Sequence, residues 1–178
     1  CSNLIFSSGL KFNKLDIECD LVEENCRCNI LSALFLNKNE HQEIKTLVNH
    51  LAPNCKSNQK VKNVLSSESK GVYQGKIYVK DIAQKTDAYQ LSKALLLDDN
   101  AEFNAKPELE IYADDVKCSH GSTSGSLDEN SIFYLMSRGL NHKEAKKLLI
   151  NGFLLDVVEK ITDLEIKKLI KEIIGVSE

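Results

Sequence analysis

Hydrophobic and polar residues alternate with a period of two along much of residues 4–97. In residues 15–21, Leu15, Ile17, Cys19 and Leu21 alternate with carboxylates, a pattern that is typical of a strand with one buried face. Apolar stretches follow at residues 28–31, 33–36, 44–48, 61–65 and 71–79, and recur at intervals of roughly 14 to 16 residues with polar residues between them. The sequence therefore predicts a repeating series of strands.

The spacing of these strands favours a solenoid. No amphipathic helical pattern interrupts residues 4–97, and the Asn-Gly and Asp-Gly dipeptides of tight hairpins are absent there. Regular strand-turn units of this kind are compatible with a sandwich, a closed barrel or a parallel β-helix. The missing hairpin signals favour the β-helix, whose strands turn corners instead of reversing direction.

A change of pattern follows residues 106–121. Within this stretch Leu109, Ile111 and Ala113 alternate with polar side chains, which predicts one more half-buried strand, and the stretch then reaches Cys118 and His120. From Ser126 onward the apolar residues recur with a period near 3.6, which indicates helices. We therefore predict a β-helix domain over residues 1–125 and a small helical segment over residues 126–178.

Three helices are predicted in the second part of the chain. Residues 126–129, 141–144 and 162–165 carry helix-start signals, the first of them with the spacing of a capping box, while Gly139 and Gly175 end the first and third helices. Their predicted apolar faces are Ile132, Phe133, Leu135 and Met136 in the first helix, Ala145, Leu148, Leu149, Gly152 and Phe153 in the second, and Ile166, Leu169, Ile170, Ile173 and Ile174 in the third.

Composition narrows the functional classes. The formal net charge of −3 and the presence of only two arginines, Arg27 and Arg138, argue against nucleic-acid binding. No apolar run reaches the roughly 18 to 20 residues that a bilayer-spanning helix needs. The six cysteines form no Cys-x-x-Cys pair, which predicts free thiols and a reducing, cytoplasmic compartment. Since the single methionine is Met136, we expect the natural start to lie upstream of Cys1.

Cys118 and His120 are the main candidates for metal chemistry. Residues i and i+2 of an extended chain point to the same side, so a thiolate and an imidazole there can face one iron or zinc ion. Two ligands are too few for a complete shell, and either distant residues or a second subunit would supply the others. The alternative is that the cysteine packs in the interior and the histidine makes local hydrogen bonds.

Three other groups are weaker candidates. Cys26 and Cys28 have the same spacing, and Arg27 between them can lower a thiol pKa, although packing in a strand is the favoured interpretation of the pair. His50 is interpreted as a turn histidine. The adjacent residues 114 and 115, both aspartates, are either part of a divalent-cation site or solvated turn residues. A carbohydrate-cleaving enzyme on a β-helix would require converging carboxylate and basic residues, and the strand faces show no such set.

The residues also carry a family resemblance. Residues 106–121, together with 127–129, 133–135 and 137–139, closely resemble the SufD branch of the SufB/SufD family of the SUF iron-sulfur cluster assembly system. Residues 47–50, 52–55, 71–79 and 83–90 resemble the same family. The resemblance implies a right-handed parallel β-helix followed by a C-terminal helical segment. The SufB branch is the nearest alternative.

The resemblance further implies a non-catalytic scaffold subunit. Such a subunit pairs with a SufB-like paralogue through its β-helix and binds a SufC-like ATPase through its C-terminal helices, while binding no nucleotide itself. Cys118 and His120 would lie near the interface between the subunits and hold iron or a transient iron-sulfur cluster. The expected location is the cytoplasm, or a plastid in a eukaryote. The alternatives are a purely structural partner without metal ligands, and a homodimer when the chain is isolated.

Overall fold

The computed structural model describes residues 1–175, which form nine strands and three helices. The strands are β1 (Ser2–Ser8), β2 (Phe12–Leu21), β3 (Arg27–Leu36), β4 (His41–His50), β5 (Lys56–Leu65), β6 (Lys70–Val79), β7 (Asp87–Leu96), β8 (Glu102–Ile111) and β9 (Lys117–Gly125). The helices are α1 (Glu129–Ser137), α2 (His142–Val158) and α3 (Leu164–Ile174).

The strands form a parallel solenoid. Odd-numbered strands lie in one sheet in the order β1-β3-β5-β7-β9, and even-numbered strands lie in the other in the order β2-β4-β6-β8. The chain therefore changes sheet after every strand, and one complete coil, which contains one strand of each sheet, takes about 30 residues. The seven strand pairs in residues 1–175 are all parallel, which confirms the predicted β-helix. It has about four coils.

The predicted strands are confirmed, with longer bounds. The stretches at residues 28–31 and 33–36 form the single strand β3, the stretch at 44–48 lies in the middle of β4, and the stretch at 61–65 is the second half of β5. The alternation in residues 106–121 ends earlier than predicted, since β8 stops at Ile111 and Ala113 lies in the following turn. Ile111 remains 37% exposed because no further even-numbered strand covers it in residues 1–175.

The interior between the two sheets is apolar at several levels. Leu34, Leu36, Ile44, Val61 and Leu65 form one cluster with neighbouring side chains, and each of them is almost fully buried. Burying an aliphatic side chain of this size stabilises the fold by about 1.5 to 3 kcal/mol. Each coil therefore depends on the coil next to it, because one coil alone leaves these side chains exposed.

Polar side chains also occupy the interior. The Tyr73 hydroxyl donates to Gln59 Oε1 at 3.3 Å and lies 3.2 Å from Thr46 Oγ1. Gln42, Gln59 and Gln90 are all at most 1% exposed. An unpaired buried amide is costly, so these groups require partners from neighbouring coils or ordered water.

The corners between the sheets use residues in the left-handed backbone region. Asn25, Asn54 and Lys85 have φ values of 61°, 60° and 59°, and each donates its backbone N–H to a carbonyl in the next corner along the solenoid. Asparagine is favoured in this conformation, which explains its use at two of the three positions. The last of these bonds, from Lys85 N to Asp115 O, fixes the corner from which β9 begins.

The helices pack on the outer face of the odd-numbered sheet. Leu154, Val157 and Val158 of α2 contact outward-facing residues of that sheet, including Val64 and Leu95. Lys62, which is only 8% exposed, donates to the carbonyl of Phe153 at 2.6 Å and pairs with Asp156 Oδ1 at 2.6 Å. Because the cation is neutralised and hydrogen-bonded, it can lie beneath the helix.

Two of the three predicted helix starts need correction. The α1 cap is Asp128, which accepts from the N–H groups of residues 130 and 131, so the predicted capping box at Ser126 is wrong. Asp163 caps α3 in the same manner, one residue after Thr162. The capping box of α2 is present, with Asn141 and Glu144 each accepting from the other's backbone N–H.

The predicted apolar faces of the helices are only partly the buried ones. In α2, Ala145 is buried, but Leu148 is 51% exposed and Gly152 is exposed. In α3 only Ile170 and Ile174 are buried. These faces were predicted from periodicity, which shows that a helix has an apolar side but not which part of that side contacts the sheet.

None of the helices in residues 1–175 is long and apolar enough to span a membrane. Strand β9 ends at Gly125 and α1 begins at Glu129, but the division into domains at residues 125 and 126 stays a prediction. Residues 176–178 of the predicted helical segment lie outside the described residues.

Candidate functional site

Cys118 and His120 lie on β9, the last strand of the odd-numbered sheet. Strand β9 is in register with β7, so Cys118 lies beside Ala88 and His120 beside Gln90. Cys118 packs with interior residues, and the Ser122 hydroxyl lies 2.9 Å from the interior Ser92 hydroxyl. Since residues 118, 120 and 122 share one side of the strand, His120 also belongs to the inward-facing side. The structure therefore brings the two predicted residues together at one end of the solenoid.

The Cys118 thiol is half-buried. Burial raises its pKa above the ordinary value, the backbone of Ala88 lowers it in part, and the negative charge of Asp87 raises it again. The free thiol is therefore protonated at neutral pH. A soft metal ion such as iron binds the thiolate, so metal binding at this position must displace a proton.

His120 is exposed, because the solenoid has no further odd-numbered strand beyond β9 within residues 1–175. Behind it, Gln90 is buried at 1% exposure and donates from Nε2 to the carbonyl of Gly75 at 3.2 Å. The His120 imidazole can thus reach a ligand at the open end of the solenoid with one edge of its ring, while the opposite edge faces the polar interior near Gln90.

A complete metal site does not form within residues 1–175. No group of three or more histidine, cysteine, aspartate or glutamate side chains in that range is arranged to hold a metal ion. The aspartates 114 and 115 lie exposed in the corner before β9 and contribute to no such group. For them the interpretation as solvated turn residues is the better one. Cys118 and His120 supply two candidate ligands and leave the others to be provided from elsewhere.

The second cysteine pair has a packing role. Cys28 is 1% exposed, and burial, together with the neighbouring Cys19 thiol, raises its pKa to about 12. The idea that Arg27 lowers this pKa is therefore wrong. Arg27 is exposed, on the opposite side of the strand from Cys28. Cys26 packs near Cys55 in the corners before β3 and β5.

His50 was placed in a turn by sequence, but it is the last residue of β4 and fully buried. Its Nε2 lies 2.9 Å from Ser57 Oγ and its Nδ1 3.5 Å from Thr86 Oγ1. Because the Thr86 hydroxyl donates to the carbonyl of Ala83 at 2.9 Å, Nδ1 carries the proton and Nε2 accepts from Ser57. Burial lowers the pKa of His50 to about 4, so it is a neutral structural residue.

Sequence reasoning missed Gln90 as a neighbour of the site. Gln59 and Gln90 are register partners in β5 and β7, so they recur at the interval of one coil. A search for polar residues repeated at that interval would have identified the row that continues to His120.

The helices expose a further set of apolar side chains, which we call the helical apolar surface. Each member is at least 43% exposed. The members are Phe133, Tyr134 and Met136 of α1, Leu148 of α2, and Leu164, Ile166, Leu169 and Ile173 of α3. Where exposed apolar side chains form one contiguous patch, they are typical of a surface that contacts another protein.

Comparisons with known proteins identify the family of this chain. Residues 1–153 match the family described as "SUF system FeS cluster assembly, SufBD core domain". The iron-sulfur cluster assembly protein SufD of Escherichia coli (strain K12) is 40% identical over 152 residues, which is 85% of this chain and 36% of that protein. A SufBD family protein of Synechocystis is 35% identical over 153 residues, covering 86% of this chain and 34% of its own length.

A plant relative is also similar. The chloroplastic protein ABCI7 of Arabidopsis thaliana is 42% identical over 104 residues, which is 58% of this chain and 22% of that protein. The chain spans about a third or less of the length of these three relatives. The matched residues 1–153 include all nine strands, and with them Cys118 and His120. The chain therefore belongs to the SufBD family of the SUF iron-sulfur cluster assembly system.

Proposed function

We propose that this protein is a non-catalytic scaffold subunit in iron-sulfur cluster assembly, and that it presents Cys118 and His120 to the iron or the nascent cluster. The cluster is the cargo of this reaction. The observation that carries the proposal is the placement of a thiol and an imidazole on the same side of the last strand, at an accessible end of the solenoid. Membership in the SufBD family supplies the chemistry.

The proposed partner at this end is a SufB-like paralogue. Strands β8 and β9 are each the last strand of their sheet within residues 1–175, so each leaves one backbone edge unpaired. Such an edge is a natural pairing surface for another strand. A partner that covers this edge would lie beside Cys118 and His120 and supply the missing ligands. The competing occupant of the edge is a second copy of this chain, which would give a homodimer.

The proposed partner of the helices is a SufC-like ATPase. The helical apolar surface supports this assignment because its eight apolar side chains are exposed and none of them belongs to the cluster that packs on the sheet. Nucleotide binding and hydrolysis would belong to that partner. Movement of the ATPase would then be transmitted through α2, whose Leu154, Val157 and Val158 rest on the odd-numbered sheet. The proposed location is the cytoplasm, or a plastid in a eukaryote.

The test is anaerobic reconstitution of the co-purified assembly with iron and sulfide, followed by visible absorption and iron content. Both His120→Ala and Cys118→Ala are expected to reduce cluster yield several-fold while the complex remains intact. Ser119→Ala is the matched control, because Ser119 lies between the two residues but faces outward. Cluster yield equal to wild type in both variants would remove these residues from the mechanism.

A purely structural role is the second candidate, and one observation favours it. Cys118 packs against the interior cluster that includes Ile77, Val79 and Ala88. If packing is its function, Cys118→Ala would lower stability or weaken association with the paralogue, and the assembled complex would still build clusters at the wild-type level.

A further inference from the structure

Gln90 and His120 are consecutive members of one row of inward-facing side chains. The row runs from Ile30 of β3 through Gln59 of β5 and Gln90 of β7 to His120 of β9, as the strand register shows. Neighbouring strands of a sheet are roughly 4.8 Å apart, so consecutive members of the row are side-chain neighbours. Gln90 therefore lies directly behind His120.

The orientation of the Gln90 amide follows from its partner. Its NH₂ group lies 3.2 Å from the carbonyl oxygen of Gly75, and a carbonyl can only accept a hydrogen bond. The nitrogen must therefore face Gly75, and the oxygen must face away from it. Glycine at position 75 provides the room, because a Cβ atom there would collide with the Gln90 amide.

Gln90 Oε1 is left as a buried acceptor without a partner among residues 1–175. Leaving such an oxygen unpaired is unfavourable, and buried polar atoms in native proteins almost always have a partner. Along the row, the flanking residues are Gln59 and His120. The Gln59 NH₂ group is also unpaired. A carbonyl oxygen accepts two hydrogen bonds, so Gln90 Oε1 can accept one from the Gln59 NH₂ group and a second from a ring N–H of His120.

We propose that Gln90 is a positioning residue for His120. Its Oε1 accepts a hydrogen bond from one ring N–H of His120, either directly after rotation of the exposed imidazole or through one bridging water. This inference rests on the proposed function, in which His120 is a ligand for iron. Gly75 fixes Gln90, and Gln90 in turn fixes the imidazole.

The chemical consequence is a single tautomer. When one ring nitrogen donates to Gln90, the proton is held on that nitrogen and the lone pair of the other nitrogen points toward the open end of the solenoid. Histidine ligands in proteins commonly donate their second N–H to such an acceptor, which orients the ring toward the metal. The polar interior would thus fix the orientation and the tautomer of the His120 imidazole before a partner or a metal ion binds.

The experiment is to measure the His120 tautomer by ¹⁵N NMR on the purified, metal-free protein with labelled histidine. The chain has 4 histidines, and His120→Ala assigns the signal. In wild type we expect one tautomer to exceed the other by about tenfold, the effect of one net hydrogen bond. Gln90→Met removes the acceptor at similar length and should return the ratio to that of a free histidine side chain. Gln90→Glu keeps an oxygen at the Oε1 position and, with its buried carboxyl protonated, an O–H donor toward the Gly75 carbonyl, so it should retain the wild-type preference.

The matched control is Gln42→Met. Gln42 is as buried as Gln90, and its amide atoms are also unpaired, but it lies in the other sheet beside Gly71. This variant should leave the His120 signal unchanged. If Gln90→Met is folded, with a far-UV spectrum like that of Gln42→Met, and the His120 tautomer ratio stays at the wild-type value, the proposal is overturned.

Failure of this inference can be distinguished from failure of the proposed function. A normal cluster yield in His120→Ala removes His120 as a ligand whatever its tautomer is. A tautomer ratio that does not respond to Gln90→Met removes the role of Gln90 even if His120→Ala loses the cluster. In the assembled complex, we expect Gln90→Met to lower the iron content and Gln90→Glu to keep it at the wild-type level.

Discussion

Two cysteines lie in one row of the solenoid interior, near its opposite ends. The row runs from Cys28 through Ser57 and Ala88 to Cys118. Cys28 is 1% exposed beneath the pairing of β1 with β3, whereas Cys118 on the last strand is half-buried. Residue type and inward direction are therefore not enough to make a site. Only the cysteine at the uncovered end can combine a thiol with access to a ligand.

Two of the 4 histidines, His50 and His120, differ in the same way. His50 lies in the middle of the solenoid with partners for both ring nitrogens, while His120 is exposed at the end that carries Cys118. His50 is therefore a part of the core, and His120 is the imidazole that can meet an external ligand. The following predictions test this contrast between the closed interior and the open end, beginning with the largest expected effect.

Thiol labelling should separate the two cysteines most strongly. With iodoacetamide at pH 8, Cys118 is expected to react at least roughly 1,000-fold faster than Cys28. The reagent reaches the buried Cys28 only when the fold opens locally, and the pKa of about 12 keeps the Cys28 thiol protonated. Mass spectrometry of peptides after timed quenching gives both rates from one sample. Labelling in urea is the control, since the two rates should then converge. Similar rates in the folded protein would contradict the contrast.

Acidification should destabilise the protein through His50. Its pKa is about 4 in the folded state against 6.5 as the ordinary value, so the unfolded state binds a proton that the folded state excludes. The contribution is complete above pH 6.5 and is lost as the pH falls toward 4, by about 3 kcal/mol in all. Urea unfolding at a series of pH values measures this loss.

The variant that isolates this effect is His50→Gln, which cannot titrate. Its free energy of unfolding should depend less on pH than that of wild type between pH 6.5 and 4.5. Equal pH dependence in the two proteins would show that His50 is not the group responsible.

A glycine-to-alanine substitution, which adds one methyl group, should be tolerated at the open end of the solenoid and should destabilise the interior. A Cβ on Gly75 would collide with the Gln90 amide and the Tyr73 hydroxyl, whereas a Cβ on Gly125 at the end of β9 meets nothing within 4 Å. We expect Gly75→Ala to lower the free energy of unfolding by about 2 to 3 kcal/mol and Gly125→Ala to change it by less than about 0.5 kcal/mol. Thermal unfolding of both variants beside wild type would reveal the difference, and equal melting temperatures would argue against a tightly packed interior.

The smallest effect is expected from serine at the two ends of the cysteine row. Cys28→Ser places a hydroxyl in an apolar cluster and should cost about 1 to 2 kcal/mol, because the hydroxyl loses its hydrogen bonds to water. Cys118→Ser should cost clearly less, since the half-buried end allows water to reach the hydroxyl. Denaturant midpoints measure both values. A larger loss at Cys118 than at Cys28 would favour the structural role for Cys118.

Much of the β-helix was predictable from periodicity. Alternation in residues 15–21 marks β2 because one side of that strand meets the interior and the other meets water. The capping box of Asn141 and Glu144 was predictable because it depends only on local backbone and side-chain geometry. The start of α1 was less predictable, since serine and aspartate are both favoured N-cap residues. In the structure Asp128, and not Ser126, is the N-cap.

The strands, their inward-facing sides and the position of Cys118 and His120 on one side of β9 can be read from the sequence, because they depend on residue spacing along the chain. Which inward positions are covered depends instead on contacts between coils. Periodicity gives Cys28 and Cys118 the same direction, and only the stacking of one coil on the next buries the first and leaves the second accessible. The same stacking places Gln90 behind His120, since neighbours in a solenoid are set by the register of coils about 30 residues apart.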